Sequence, residues 1–293
     1  MSNHGRTAWN NMMYLAQGEP SYRERIDQLA SITAADMRRY YEQTHTQANS
    51  FFIVSGNGTE NRQKISAGLE NLLRHLPEGE RLTLPPRERT TPDTPAVEYR
   101  EIADIFYSHR FVTKPLTIDE VAAAAVLRSV LNSYLKSSLF GAVWESGLAY
   151  GIRSGYSYHT YEAAYLISSS VSAKNAKPLF KLIVRQLKRV LEGKVTSADL
   201  AAANKTGEGR LDIALQTPNS LASFYTGDYL VYGNFVPVEE WSALRKSVTV
   251  QQLQAIAQKL LQSGEWAQSF VGPISDDEAN ELHALMATLR TSV

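Results

Sequence analysis

The side chains best suited to hold a catalytic metal or move a proton near neutral pH are six histidines: His4, His45, His75, His109, His159 and His283. No two of them are three to five residues apart. A helical His-x-x-x-His clamp, His-Glu-x-x-His and its inverse are therefore all excluded within this chain. Ordinary surface or hydrogen-bonded histidines are the expectation. The chain has no cysteine, so disulfides, thiolate zinc sites and a cysteine nucleophile are excluded together.

Serine chemistry fares no better. Ser133-Tyr134-Leu135-Lys136 matches Ser-x-x-Lys and Lys205-Thr206-Gly207 matches Lys-Thr-Gly, two elements of penicillin-binding enzymes. The second lies inside a helix-like run from Ala201 to Leu215, where that chemistry needs a strand edge, and Ser-Asp-Asn is absent. Gly151-Ile152-Arg153-Ser154-Gly155 is not a nucleophile elbow. Gly56-Asn57-Gly58 falls short of a dinucleotide fingerprint and reads as a strand-to-helix turn needing positive φ. Lys177, Lys181, Arg185, Lys188 and Arg189 form a basic stripe opposite Leu179, Leu182, Ile183 and Leu187, either a solvated helix face or a surface for an acidic partner.

The most informative stretch is Ser138-Leu139-Phe140-Gly141-Ala142-Val143-Trp144-Glu145-Ser146-Gly147-Leu148-Ala149-Tyr150. It reads as a short helix that ends at Gly147 and places Tyr150 where a strand begins. A tyrosine there can donate a hydrogen bond to a carbonyl oxygen.

The elements around it point to α+β. Val97 to Val112 reads as extended, and Thr117 with Glu120 caps a helix through about Lys136. Ala149 to Tyr158 and Ala163 to Ser172 read as an antiparallel hairpin across His159-Thr160. Helices follow over about 175–191, 197–215, 220–231, 237–245 and 249–262, then a strand through Phe270 and a last helix opened by Ser275 with Glu278. Strands segregated from a run of helices fit an antiparallel sheet with helices on one face.

A repeat runs through this pattern. Ser31-Ile32-Thr33 opens a helix that leads to the apolar run Phe51 to Gly56. Ser247-Val248-Thr249 opens another that leads to Trp266 through Gly272. Thr33 to Thr249 and Gly56 to Gly272 are both offset by 216, and two full units of that length exceed the 293 residues by 139. The shortage falls at the front. Residues 1–84 read as the C-terminal part of a first unit, 85–96, with Pro85, Pro86, Pro92 and Pro95, as a stiff polar linker, and 97–293 as a complete second unit.

With these motifs in order, the sequence resembles the M16 metallopeptidases, the pitrilysin and insulinase-like family that includes the mitochondrial processing peptidases and respiratory core proteins. The resemblance covers about residues 20 to 272. It implies an M16-type (LuxS- and processing-peptidase-like) fold: one full unit plus the C-terminal part of a preceding one, closing around a peptide chamber. The family's zinc ligands cannot be carried over, because their portion would precede Met1. No catalytic or metal-binding residue is therefore assigned, and zinc is expected only in that missing N-terminal portion or in a partner. In active members the second unit brings an arginine and a tyrosine to the substrate. Tyr150 matches the tyrosine, and Trp144 stands at the arginine's place. An indole supplies no cation but can pack against a side chain.

The resemblance implies a non-catalytic portion of an M16-like zinc metallopeptidase, with Tyr150 and Trp144 binding substrate. The alternative is an inactive M16-like scaffold or partner subunit with an assembly role. The expected partners are a peptide substrate, the missing N-terminal half or a catalytic M16 subunit, and a second copy of the chain through the exposed first unit. Thirty Lys+Arg against thirty Asp+Glu remove the electrostatic footprint of a nucleic-acid binder. No apolar window reaches the roughly 20 residues of a membrane span. Nucleic acid and membrane are not expected as partners, and the expected location is the cytoplasm.

Overall fold

A computed structural model describes residues 3–20, 22–57, 59–83, 92–133, 136–262 and 265–290. The elements in chain order are α1 (His4–Gln17), α2 (Tyr22–Ser31), α3 (Ala34–Thr44), α4 (Arg62–Arg74), β1 (Ala96–Tyr99), β2 (Asp104–Thr113), α5 (Ile118–Asn132), α6 (Ser138–Ser146), β3 (Ile152–Tyr158), β4 (Ala163–Ser172), α7 (Ala173–Leu191), α8 (Ser197–Ala214), α9 (Pro218–Tyr232), α10 (Val238–Ser247), α11 (Val250–Leu261), β5 (Glu265–Gly272) and α12 (Asp276–Ala287). They form two compact units. One comprises Met1–Glu19, Glu88–Asp212 and Val236–Val293, and the other Pro20–Arg87 and Ile213–Phe235. Of the linker expected over 85–96, Pro85 and Pro86 lie outside the described residues, and Ala96 already begins β1. Among the described residues no helix is long and apolar enough to cross a membrane.

The first unit is built on a five-stranded sheet of order β1-β5-β2-β4-β3. All pairs are antiparallel except β1 with β5. The expected hairpin is present as β3 and β4, closed by the His159 N–H donating to the Glu162 carbonyl at 2.8 Å. Alternation along the strands sorts the side chains. Tyr107 packs on Phe180 of α7 at 4.6 Å and on Phe270 at 5.7 Å, so this face meets the helices. Ala267, on the opposite face, packs against Met12 of α1. The helices thus lie chiefly on one face, while α1 covers β5 and part of β2 on the other, which explains why β2 is buried almost throughout.

Local chemistry fixes the helix starts. Thr117 with Glu120, Thr249 with Gln252 and Ser275 with Glu278 all make reciprocal capping boxes. Helix α5 is buried on all sides from Val121 to Leu127 and forms the centre of the helical layer. Helix α7 buries Leu179, Leu182, Ile183 and Leu187 and leaves Lys181 and Arg185 in water, as its stripe implied.

One expected extended segment, Val97 to Val112, is two strands. The Ile102 N–H donates to the Arg100 carbonyl at 2.9 Å, a tight turn that lets the chain cross the end of β5 and flank it on both sides. The crossing needs Gly272. Its φ is 150°, and a Cβ there would stand 2.6 Å from the Asp104 carbonyl oxygen and 2.8 Å from the Ile105 Cα. Gly56, the counterpart of Gly272 in the repeat, has no positive φ, so the turn expected there does not depend on one; Gly58 lies outside the described residues.

The second unit holds α2, α3, α4 and α9. Thr33 and Asp36 form the expected capping box on α3. Phe51 to Ser55, expected as a strand, pairs with no strand among the described residues. A strand exists only with hydrogen-bonded neighbours, and among the described residues no counterpart of β1 or β2 is present in this unit. The repeat itself is longer than the sequence suggested. Helices α1 to α4 correspond in order to α9 to α12. Leu15 and Leu230, each preceded by a tyrosine, stand three residues before a left-handed glycine cap, Gly18 and Gly233. The copies also exchange a helix: α1 groups with the sheet unit and α9 with residues 20–87. Phe51 packs on Tyr229 of α9 at 4.9 Å, as its counterpart Ala267 packs on Met12 of α1.

Candidate functional site

Helix α6 stops because Gly147 takes the left-handed conformation, φ 61°, with its N–H donating to the Trp144 carbonyl at 3.2 Å. The loop that follows is pinned at two carbonyls. Asn175 Nδ2 donates to Leu148 O at 3.0 Å, and Ser169 Oγ donates to Gly151 O at 2.7 Å. Strand β3 then begins at buried Ile152. Between these anchors Tyr150 projects into solvent at 93% exposure, and Trp144 is 58% exposed on the last turn of α6, its ring 6.3 Å from Phe140. Aromatic rings left this open forgo apolar burial.

Trp144 and Tyr150 line one concavity of about 450 Å³, together with Asp104, the 147–149 loop and Ser170 to Ser172. Sequence reasoning named the two aromatics and missed the polar wall. Asp104 and the serines come together only through strand register, Asp104 opposite Ser172 and Phe106 opposite Ser170. The serines Ser168 to Ser170 and Ser172, in a strand of otherwise apolar and aromatic residues, were a signal available in the sequence. Tyr150 stands two residues before β3 rather than on it.

The other candidates have structural roles. Ser133 accepts at its backbone carbonyl from Arg210 at 2.6 Å; Tyr134 and Leu135 of the same motif lie outside the described residues. Lys205-Thr206-Gly207 lies within α8, and Thr206 Oγ1 donates back to the Ala202 carbonyl. His109 is fully buried, stacked on Phe111 at 4.0 Å and on Trp266 at 4.7 Å. Neither of its ring nitrogens has a hydrogen-bond partner among the described residues. Burial, reinforced by His283 and Arg290, holds its pKa well below the ordinary imidazole range. His283 Nδ1 meets Gln268 Oε1 at 2.8 Å.

Among the described residues no three His, Asp or Glu side chains are arranged to hold a metal ion. The most buried histidine faces rings rather than carboxylates. The described residues do not fit a zinc ion.

Residues 31–206, more than half of the chain, match the Peptidase M16 inactive domain family. The chain belongs to this family. Its relatives include an uncharacterized zinc protease of Streptomyces coelicolor, 24% identical over 271 residues, covering 89% of this chain and 58% of that protein. Another, from Mycobacterium leprae, is 23% identical over 254 residues, covering 85% and 56%. The chain thus spans somewhat over half the length of these relatives.

The fold agrees. A peptidase M16 inactive domain from Pseudomonas fluorescens superposes with a TM-score of 0.76 at 16% identity, over 93% of this chain and 66% of that one. A chain of complex III2 from Candida albicans gives 0.76 at 12% identity, over 95% and 69%. As an M16 inactive domain, the chain is a non-catalytic portion of an M16-type protein.

Proposed function

We propose that this chain forms one wall of the peptide chamber of an M16-type metallopeptidase, and that zinc and its water-activating carboxylate come from a catalytic M16 unit. The observation that carries this reading is the concavity shared by Trp144, on the last turn of α6, and Tyr150, on a loop held by Asn175 and Ser169. A pinned loop lets an exposed phenol wait in position, so little ordering is left to do when a peptide arrives. The Tyr150 hydroxyl donates to a substrate carbonyl, and the Trp144 indole packs against a neighbouring side chain.

The test is Tyr150→Phe in the assembled enzyme. Loss of one donor to a carbonyl is expected to lower kcat/KM by on the order of ten- to a hundredfold, with the melting temperature unchanged because the side chain buries almost nothing. An unchanged kcat/KM removes Tyr150 from substrate contact.

A second reading, a scaffold whose role is assembly, draws on the helical unit. Met37, Tyr40, Tyr41 and Val54 are exposed there, whereas their counterparts in the repeat, Leu253, Ile256, Ala257 and Phe270, are buried under the sheet unit's own strands and helices. An apolar surface of that kind fits the strand-bearing remainder of an M16 unit. Under this reading a complex with that remainder forms normally and shows no dependence on Tyr150.

A further inference from the structure

We infer that the concavity of Trp144 and Tyr150 takes a cationic side chain, arginine or lysine, from an extended peptide; this rests on the peptide-binding reading above and names what the peptide must carry. Among the residues lining it, Asp104 is the single charged one. Its carboxylate makes no hydrogen bond or ion pair with any described residue, in contrast to Glu98, Glu120 and Glu162, which are each paired with a lysine or arginine.

Register fixes where that charge acts. Asp104 lies opposite Ser172 and Phe106 opposite Ser170 on β4. Phe106 sits beside His4 of α1 at 5.4 Å, so this face is the one turned away from the main helical layer. The hydroxyls of Ser170 and Ser172 therefore stand on the same side as the carboxylate. The wall is acceptor-rich with one negative charge, and the rim carries two exposed aromatic rings.

Three classes of side chain compete for such a site. An acidic one would meet Asp104 as a like charge. An aliphatic one would pack on the rings but strip water from an unpaired carboxylate, which is unfavourable. A guanidinium or ammonium group satisfies both halves, its charge against Asp104 and its stem or planar face against Trp144. Arginine fits best, because its fork matches a carboxylate while its plane stacks on an indole. A volume of about 450 Å³ holds one long side chain with the backbone on either side of it.

The experiment measures affinity by fluorescence anisotropy with three dye-labelled twelve-residue peptides, identical except for Arg, Leu or Glu at the centre. The expected order is Arg tightest, then Leu, then Glu, with about tenfold between the extremes at low salt and less at 0.5 M, as a partly exposed pair requires. Asp104→Asn should bring the Arg-to-Glu ratio to within twofold, and Asp104→Glu should keep the order. Circular dichroism on both variants checks that the sheet is intact. Equal binding of all three peptides, or a preference that survives Asp104→Asn, overturns the cationic pocket and leaves the peptide reading standing. Failure of all three to bind overturns both.

Discussion

A histidine with no hydrogen-bond partner among the described residues, stacked between a phenylalanine and an indole, ties stability to pH. The unfolded chain protonates His109 near its ordinary 6.5, whereas the folded chain does so only well below that value. Protons therefore favour unfolding, and stability falls by about 1.4 kcal/mol for each pH unit below 6.5. His283, lowered by burial and then by Arg290, acts in the same direction. The carboxylates held below their usual value of 4.5, Glu98 beside Asn11 and Arg100 and Glu120 beside Lys259, lose their contribution only as pH falls through 4.5 and below. The window from about pH 6.5 to 5 thus belongs to the histidines. Calorimetry is expected to show a flat melting temperature above pH 7 and a decline below 6.5. His109→Phe should shallow that decline and be neutral or stabilising at pH 7, since it replaces an unsatisfied buried polar ring by an apolar one of similar shape. An unaltered slope assigns the decline elsewhere.

At the scale of elements, what was legible in the sequence was local and what was not depended on distant partners. The capping boxes at Thr33, Thr117, Thr249 and Ser275 needed only residues three apart, and all four are present. The β3–β4 hairpin followed from its short polar turn. Phe51 to Ser55 has the composition of a strand and forms none, because composition does not supply a neighbour. The break at Arg100 to Ala103 was hidden because it answers to β5, which lies near the other end of the chain. The concavity was half legible for the same reason: Trp144, on the last turn of α6, and Tyr150, in the loop after it, lie six residues apart in the chain, while Asp104 reaches them only through pairing with β4. Gly272→Ala probes the crossing directly. The new Cβ meets backbone that cannot rotate away, so a loss of about 1–3 kcal/mol is expected in denaturant melts. A loss no larger than that of an ordinary surface substitution would mean that the β1–β2 connection shifts freely.

At the scale of the whole molecule the two units are woven from alternating stretches of one chain. The backbone passes from one unit to the other after Glu19, Arg87, Asp212 and Phe235. Each sequence copy therefore gives a helix to the unit that the other copy chiefly builds. The consequence concerns scission. A protease site inserted between Thr83 and Pro92 and then cut yields two fragments, neither of which contains either unit whole: the shorter keeps α1, on which the sheet of the longer depends, and the longer keeps α9. The nicked protein is expected to elute as one species from a sizing column under native conditions and to part into two bands only in detergent. Fragments that drift apart unaided would show that the traded helices contribute little to cohesion. Evolution by duplication ordinarily leaves neighbours that can be snipped free of each other; here the trade makes the pair inseparable by any single incision at the joint.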